Sequence, residues 1–189
     1  MMKAKRQFFP ALLLSIPLLA TVPANVVITP HSAQVQKRDP LTESESDQIR
    51  ELAQEPDKRI KLLLKFIQAR LATIEQLQGD AKLASGRGKQ IHDVLEDFTG
   101  LIDELDDNID EYADKKSDIR KALKEVIESN TSFQLKLRTL KEQKAPPREA
   151  AEYSFVLQTA TEAVNSSLDN ARQALQELEV ALKEEKKKK

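Results

Sequence analysis

His92 stands four residues before Glu96, one turn of helix, so both side chains reach one point on a helical face. Around them runs the most unusual stretch of the chain. Between residues 93 and 114 lie Asp93, Glu96, Asp97, Asp103, Glu104, Asp106, Asp107, Asp110, Glu111 and Asp114, with no Lys or Arg among them. Carboxylates with a histidine suit a divalent cation, and a helical bundle can host one in its interior. His92, Glu96, Asp103 and Asp107 are the candidate ligands. Two patterns that would sharpen the reading are missing. A carboxylate-bridged di-metal bundle wants inward Glu-x-x-His pairs, and the chain has none. Asp106-Asp107-Asn108-Ile109-Asp110 has ligand types at the first, third and fifth places of a calcium loop. It lacks the glycine at the sixth and has Ser117 in place of glutamate at the twelfth.

Other chemistries have less to build on. With no cysteine there are no disulfides, thiolate metal sites or cysteine nucleophiles. His92 is the only histidine beyond residue 40, and no Gly-x-Ser-x-Gly elbow exists, so a serine triad has no base or nucleophile to draw on. Gly86-x-Gly88 is too short for a phosphate loop, and Lys89 is not in a Walker arrangement. Asn130-Thr131-Ser132 and Asn165-Ser166-Ser167 match the glycosylation pattern but fall inside helical patterns, where they read as polar interruptions.

The elements that must position these residues are helices. Only four of the 189 residues are glycine, and 32% are charged, a composition that favours long helices over sheet. Thr42 and Glu45 have the spacing of a capping box, which predicts a short helix to about Gln54. Pro56 suits the first turn of the next helix, whose stripe is Ile60, Leu63, Leu64, Ile67, Leu71, Ile74 and Leu77, widened by Leu62 and Phe66. Gly79-Asp80 and residues 85–88 end it. A third helix carries Ile91, Val94, Leu95, Phe98, Leu101, Ile102, Leu105, Ile109 and Tyr112. With the stripe centred on Ile91, Phe98, Leu105 and Tyr112, the residues His92, Glu96, Asp103, Asp106 and Asp110 face outward, as a solvated acidic surface does.

A break is predicted near residues 114–117, with Asp114 or Ser117 as cap, before a stripe of Ile119, Leu123, Val126, Ile127, Phe133, Leu137 and Leu140. Pro146-Pro147 ends that helix. The last helix shows Tyr153, Val156, Leu157, Ala160, Val164, Leu168, Ala171, Leu175, Leu178 and Leu182. Short connections between four long helices imply an all-α, elongated, antiparallel up-and-down bundle with a short N-terminal helix and coiled-coil-like packing. The helix after the acidic one is basic (Lys115, Lys116, Arg120, Lys121, Lys124, then Lys136, Arg138, Lys141 and Lys144), which predicts charge complementarity between the two. Residues 58–66 combine Lys58, Arg59, Lys61 and Lys65 with an apolar face; a bundle helix with lysines at its edges accounts for them, and a membrane-surface helix is the rival.

Lys3, Lys5 and Arg6 precede a short apolar stretch through Ala20, the layout of a secretory signal peptide. Cleavage after Ala24 is expected, with Ala20 and Ala33 as other ends; an uncleaved anchor is the alternative, disfavoured by Pro10, Pro17 and Pro23. The expected organisation is a signal peptide over 1–24, a flexible lead-in over 25–40, a bundle over 41–185 and a basic tail over 186–189. The chain is then secreted or periplasmic, without a stable transmembrane anchor.

Gly88-Lys-Gln-Ile-His-Asp-Val-Leu-Glu-Asp-Phe98, followed by residues 104–120 (ELDDNIDEYADKKSDIR), resembles segments of exported bacterial helical proteins that carry no assigned function. The resemblance covers the middle of the chain and implies a bacterial envelope setting; it carries no functional residue.

Lys plus Arg (30) nearly cancels Asp plus Glu (31), so no global field points to nucleic acid. The reading that follows is a non-enzymatic exported bundle with no cofactor and no catalytic residues. It would act through helix-mediated contact with a protein partner or with itself, as a scaffold or adaptor. The alternative is a divalent-cation-binding bundle using residues 92–114.

Overall fold

A computed structural model describes residues 38–80, 82 and 84–188. The expected signal peptide, and the lead-in up to residue 37, lie outside the described residues. The rest is helical: α1 (Glu43–Glu51), α2 (Pro56–Gly79), α3 (Arg87–Asp114), α4 (Arg120–Glu142) and α5 (Pro147–Lys188).

Local chemistry sets the boundaries. The capping box forms: Glu45 N donates to Thr42 Oγ1 at 3.2 Å and Thr42 N donates to Glu45 Oε2 at 2.9 Å. Pro56 opens α2, where a missing amide hydrogen costs nothing. The break after α3 is present, but neither Asp114 nor Ser117 caps α4. Instead α3 closes with a Schellman motif, Ser117 N donating to Tyr112 O and Lys116 N to Ala113 O, both at 2.9 Å. Lys116 adopts the left-handed conformation this motif requires, φ 55°, where glycine is the usual choice. α4 then begins from Ile119 with no side-chain cap.

The four long helices form a bundle around one apolar core. Every apolar residue of the α2 stripe is buried except Leu62, and Phe98 and Phe133 meet edge-on at its centre, ring centroids 5.9 Å apart. α2 packs on α3 and α4, and α5 packs on the same two. Thus α3 and α4, adjacent in sequence, face each other across the bundle axis, and residues 115–119 cross its end. Chain directions still alternate. The side-chain pairs Arg87–Glu149 and Asp106–Ser167 show α3 and α5 running parallel, while Asn130–Ser167 and Gln134–Asn165 show α4 and α5 antiparallel.

This arrangement corrects the expected pairing of the acidic and basic helices. Their charges meet other partners: Lys136 and Glu125 of α4 bridge to Glu75 and Lys61 of α2, and Glu104 of α3 lies 3.8 Å from Arg59 of α2. Residues 38–40, placed by sequence in the lead-in, are held on the bundle. Arg38 donates to Asp97 and to the Asp93 carbonyl, and the Pro40 ring lies over Gly100. Arg70 grips Glu45 with two hydrogen bonds and the Pro40 carbonyl with a third. Among the described residues no helix is long and apolar enough to cross a membrane.

Candidate functional site

Two groups of polar side chains are brought together by α3. On its outer flank, His92 and Glu96 converge as their spacing predicts, and Asp93 joins them, with ligand-type atoms all within 4.8 Å of one another. His92 Nδ1 lies 3.5 Å from Asp93 Oδ1 and 3.9 Å from Glu96 Oε2. Asp103 and Asp107 do not belong to this group. They are exposed two and three turns further along α3, about 10 and 16 Å beyond Glu96 at the helical rise. Cations already serve the neighbouring carboxylates. Lys89 Nζ binds both oxygens of Asp93 (3.0 and 2.9 Å), and Arg38 binds Asp97 at 2.6 Å. A histidine with two carboxylates suits a borderline divalent ion such as zinc, but on an open helix flank, with Asp93 shared with a lysine, the grip is weak.

The second group lies inside. Asp106 is half-buried and turned toward α5, not outward. α3 packs against both α2 and α5, so its buried face is wider than one stripe and takes in Asp106 at the α5 edge. There Ser167 Oγ donates to Asp106 Oδ1 at 2.6 Å and Asn170 Nδ2 to Asp106 Oδ2 at 3.4 Å. Behind Ser167, Asn130 Nδ2 donates to Ser167 Oγ at 3.0 Å. Asn130 and Ser167 are both fully buried, so three helices meet at a polar chain in a core whose other buried polar residue is Asn108. Burial pushes the Asp106 carboxyl up to about 6, outweighing the hydrogen bonds from Ser167 and Asn170; Asp110 and Asp103 push the same way.

This inward chain is absent from the sequence reading, yet a signal for it exists. Asn130 falls four residues after Val126 and three before Phe133, and Ser167 three after Val164 and four before Ala171. These are stripe positions occupied by polar residues. Burial also closes Asn130 to glycosylation, whereas Asn165 is exposed and accepts from Gln134 Nε2 at 2.7 Å.

Two grooves lie between helices. One, where α4 ends beside the start of α5, is lined by Leu140, Tyr153 and Leu157 with Lys141, Gln158 and Glu162 at its rim. Burial raises the pKa of Tyr153 there. At the opposite end of α4, Asp57, Asp118, Arg120, Lys121, Lys124 and Glu179 surround a charged cleft. Outside the core, Phe155 is 81% exposed and Leu135 63% exposed, each on the outward face of its helix. No protein-family model, curated protein or solved structure matches the chain.

Proposed function

We propose that this chain is an exported, non-enzymatic helical bundle that works by helix-mediated contact, as a scaffold or adaptor of the bacterial envelope. One observation carries the reading. α5 is 42 residues long, against 23 for α4, and displays Phe155, a large apolar ring, almost entirely to water. A helix side chain that leaves an aromatic ring in solvent forgoes about 2 kcal/mol of burial that a partner surface would recover. The apolar core supplies the rigidity, and the charged outer faces supply solubility and partner selection.

Placing a benzoylphenylalanine photo-cross-linker at position 155 tests this. Light-dependent covalent dimers, or a discrete adduct with one envelope protein, are the expected result. Cross-linking no greater than at an exposed polar control on another helix, such as Gln76 of α2, would argue against it.

The convergence of His92, Asp93 and Glu96 favours a second reading, divalent-cation binding. A ligand that selects the native state must raise the melting temperature. An unchanged melting temperature in chelator, zinc and calcium would dismiss this reading.

A further inference from the structure

We propose that the chain Asp106–Ser167–Asn130 is an acid-tightened latch, joining α3, α5 and α4 more firmly when the Asp106 carboxyl takes up a proton. The geometry is of a kind that works in both protonation states. With Asp106 ionised, hydrogen bonds run inward to outward: Asn130 Nδ2 to Ser167 Oγ at 3.0 Å, and Ser167 Oγ to Asp106 Oδ1 at 2.6 Å. A hydroxyl both donates and accepts, so the direction can reverse. A protonated Asp106 donates to Ser167 Oγ, and Ser167 then donates to the amide of Asn130. That amide has an oxygen to offer: Asn130 Oδ1 is buried without a hydrogen-bond partner, and a half-turn of the amide brings it to the hydroxyl. The Asp106–Ser167–Asn130 contacts persist, with Asn130 Nδ2 in place of Oδ1 left unpartnered, while the buried negative charge disappears.

The charged groups around Asp106 oppose its charge, and only the hydrogen bonds from Ser167 and Asn170 favour it. On α3, Asp103 and Asp110 stand one turn to either side, and both raise its affinity for a proton. From α5 come the neutral Ser167 and Asn170, while Asp169 faces Arg172 at 3.4 Å. From α4 comes the neutral Asn130, whereas the α2 cation Arg59 lies 3.8 Å from Glu104 and is not among the groups that shift Asp106. A carboxylate buried against neutral donors and two like charges holds its proton more tightly than it does in an unfolded chain.

The direction of the effect follows by linkage. The folded-state value, about 6, lies above the unfolded one, 3.8. The stabilisation is therefore complete below the unfolded value and is lost as pH rises through about 6. Carboxylates held low, such as Glu45 beside Arg70, act oppositely and at lower pH, so the two windows separate.

Thermal unfolding of the full chain and of Asp106→Asn, followed between about pH 5 and about pH 7.5, tests the proposal. The wild-type melting temperature should fall across this window by on the order of 5 °C more than that of the variant. An equal slope in the two proteins overturns the proposal. If Asp106→Asn does not fold, the carboxyl carbon-13 shift of Asp106 in the wild type decides. A midpoint well above that of an ordinary aspartate sustains the latch, and an ordinary midpoint removes it.

Discussion

A Cβ built on Gly88 would stand 2.9 Å from the main-chain carbonyl oxygen of Glu149, so α3 and α5 start in backbone contact. Beside that contact, Arg87 forks onto Glu149, Nε to Oε1 at 2.8 Å and Nη2 to Oε2 at 2.9 Å. The two residues clamp the parallel pair at one end, and the polar chain at Ser167 joins it further along. Gly88→Ala must push a backbone, which does not yield as a flexible side chain would. It should destabilise the bundle by about 1–3 kcal/mol in urea unfolding. Gly79→Ala, with nothing within 4 Å of the new Cβ, is the matched control and should cause no loss.

Lys116 holds a left-handed conformation, φ 55°, at the end of α3. The strain is about 1 kcal/mol for a residue with a Cβ and absent for glycine. Lys116→Gly should therefore raise stability by about 1 kcal/mol in the same assay, one of the few glycine substitutions with that sign. A loss of stability would mean that residues 115–119 cross the bundle end in another conformation.

Phe133 is buried against Phe98 at the centre of the core, whereas Leu135, two residues on, is 63% exposed. Phe133→Ala should cost about 3–5 kcal/mol. Leu135→Ala should change stability by less than about 0.5 kcal/mol. Equal effects would show that α4 is rotated from the face described.

Glu45 serves both the capping box and Arg70, and the Arg70 hydrogen bond holds its carboxyl below the usual glutamate range. A depressed value gives stability that is present above the unfolded value of 4.5 and lost as pH falls through the folded one. Glu45→Gln should flatten the acid limb of the unfolding profile and free the segment 38–51 to proteases at neutral pH. Thr42→Ala, which removes only the cap, should cost about 1 kcal/mol.

Much of this fold is legible in the sequence because long amphipathic helices write their buried face in steps of three and four. Ile60 to Leu77 in α2 and Tyr153 to Ala171 in α5 are read that way, Thr42 and Pro56 mark where helices begin, and Pro146-Pro147 marks where one ends. Periodicity does not say which helix a face meets. The diagonal placement of α3 and α4 is a property of the whole packing, and so the complementarity inferred from their opposite charges does not form. Asp106 is misplaced for the same reason: a single stripe on α3 leaves it outward, but a helix with two neighbours buries both edges. His92 and Glu96 are found by spacing alone because one turn of one helix sets their separation. Asn130 and Ser167 lie on different helices, and only the packed bundle shows that they touch.

Sedimentation equilibrium of the bundle and of Phe155→Ser addresses the central claim directly. Phe155 faces away from the core, so the substitution should leave the melting temperature unchanged. If the outer face of α5 is the contact surface for a second copy, the wild type will associate with rising concentration and the variant will remain monomeric. Two proteins that sediment alike, whether both monomeric or both associated, would contradict self-association through this face and leave a different envelope protein as the partner the cross-link at 155 must show.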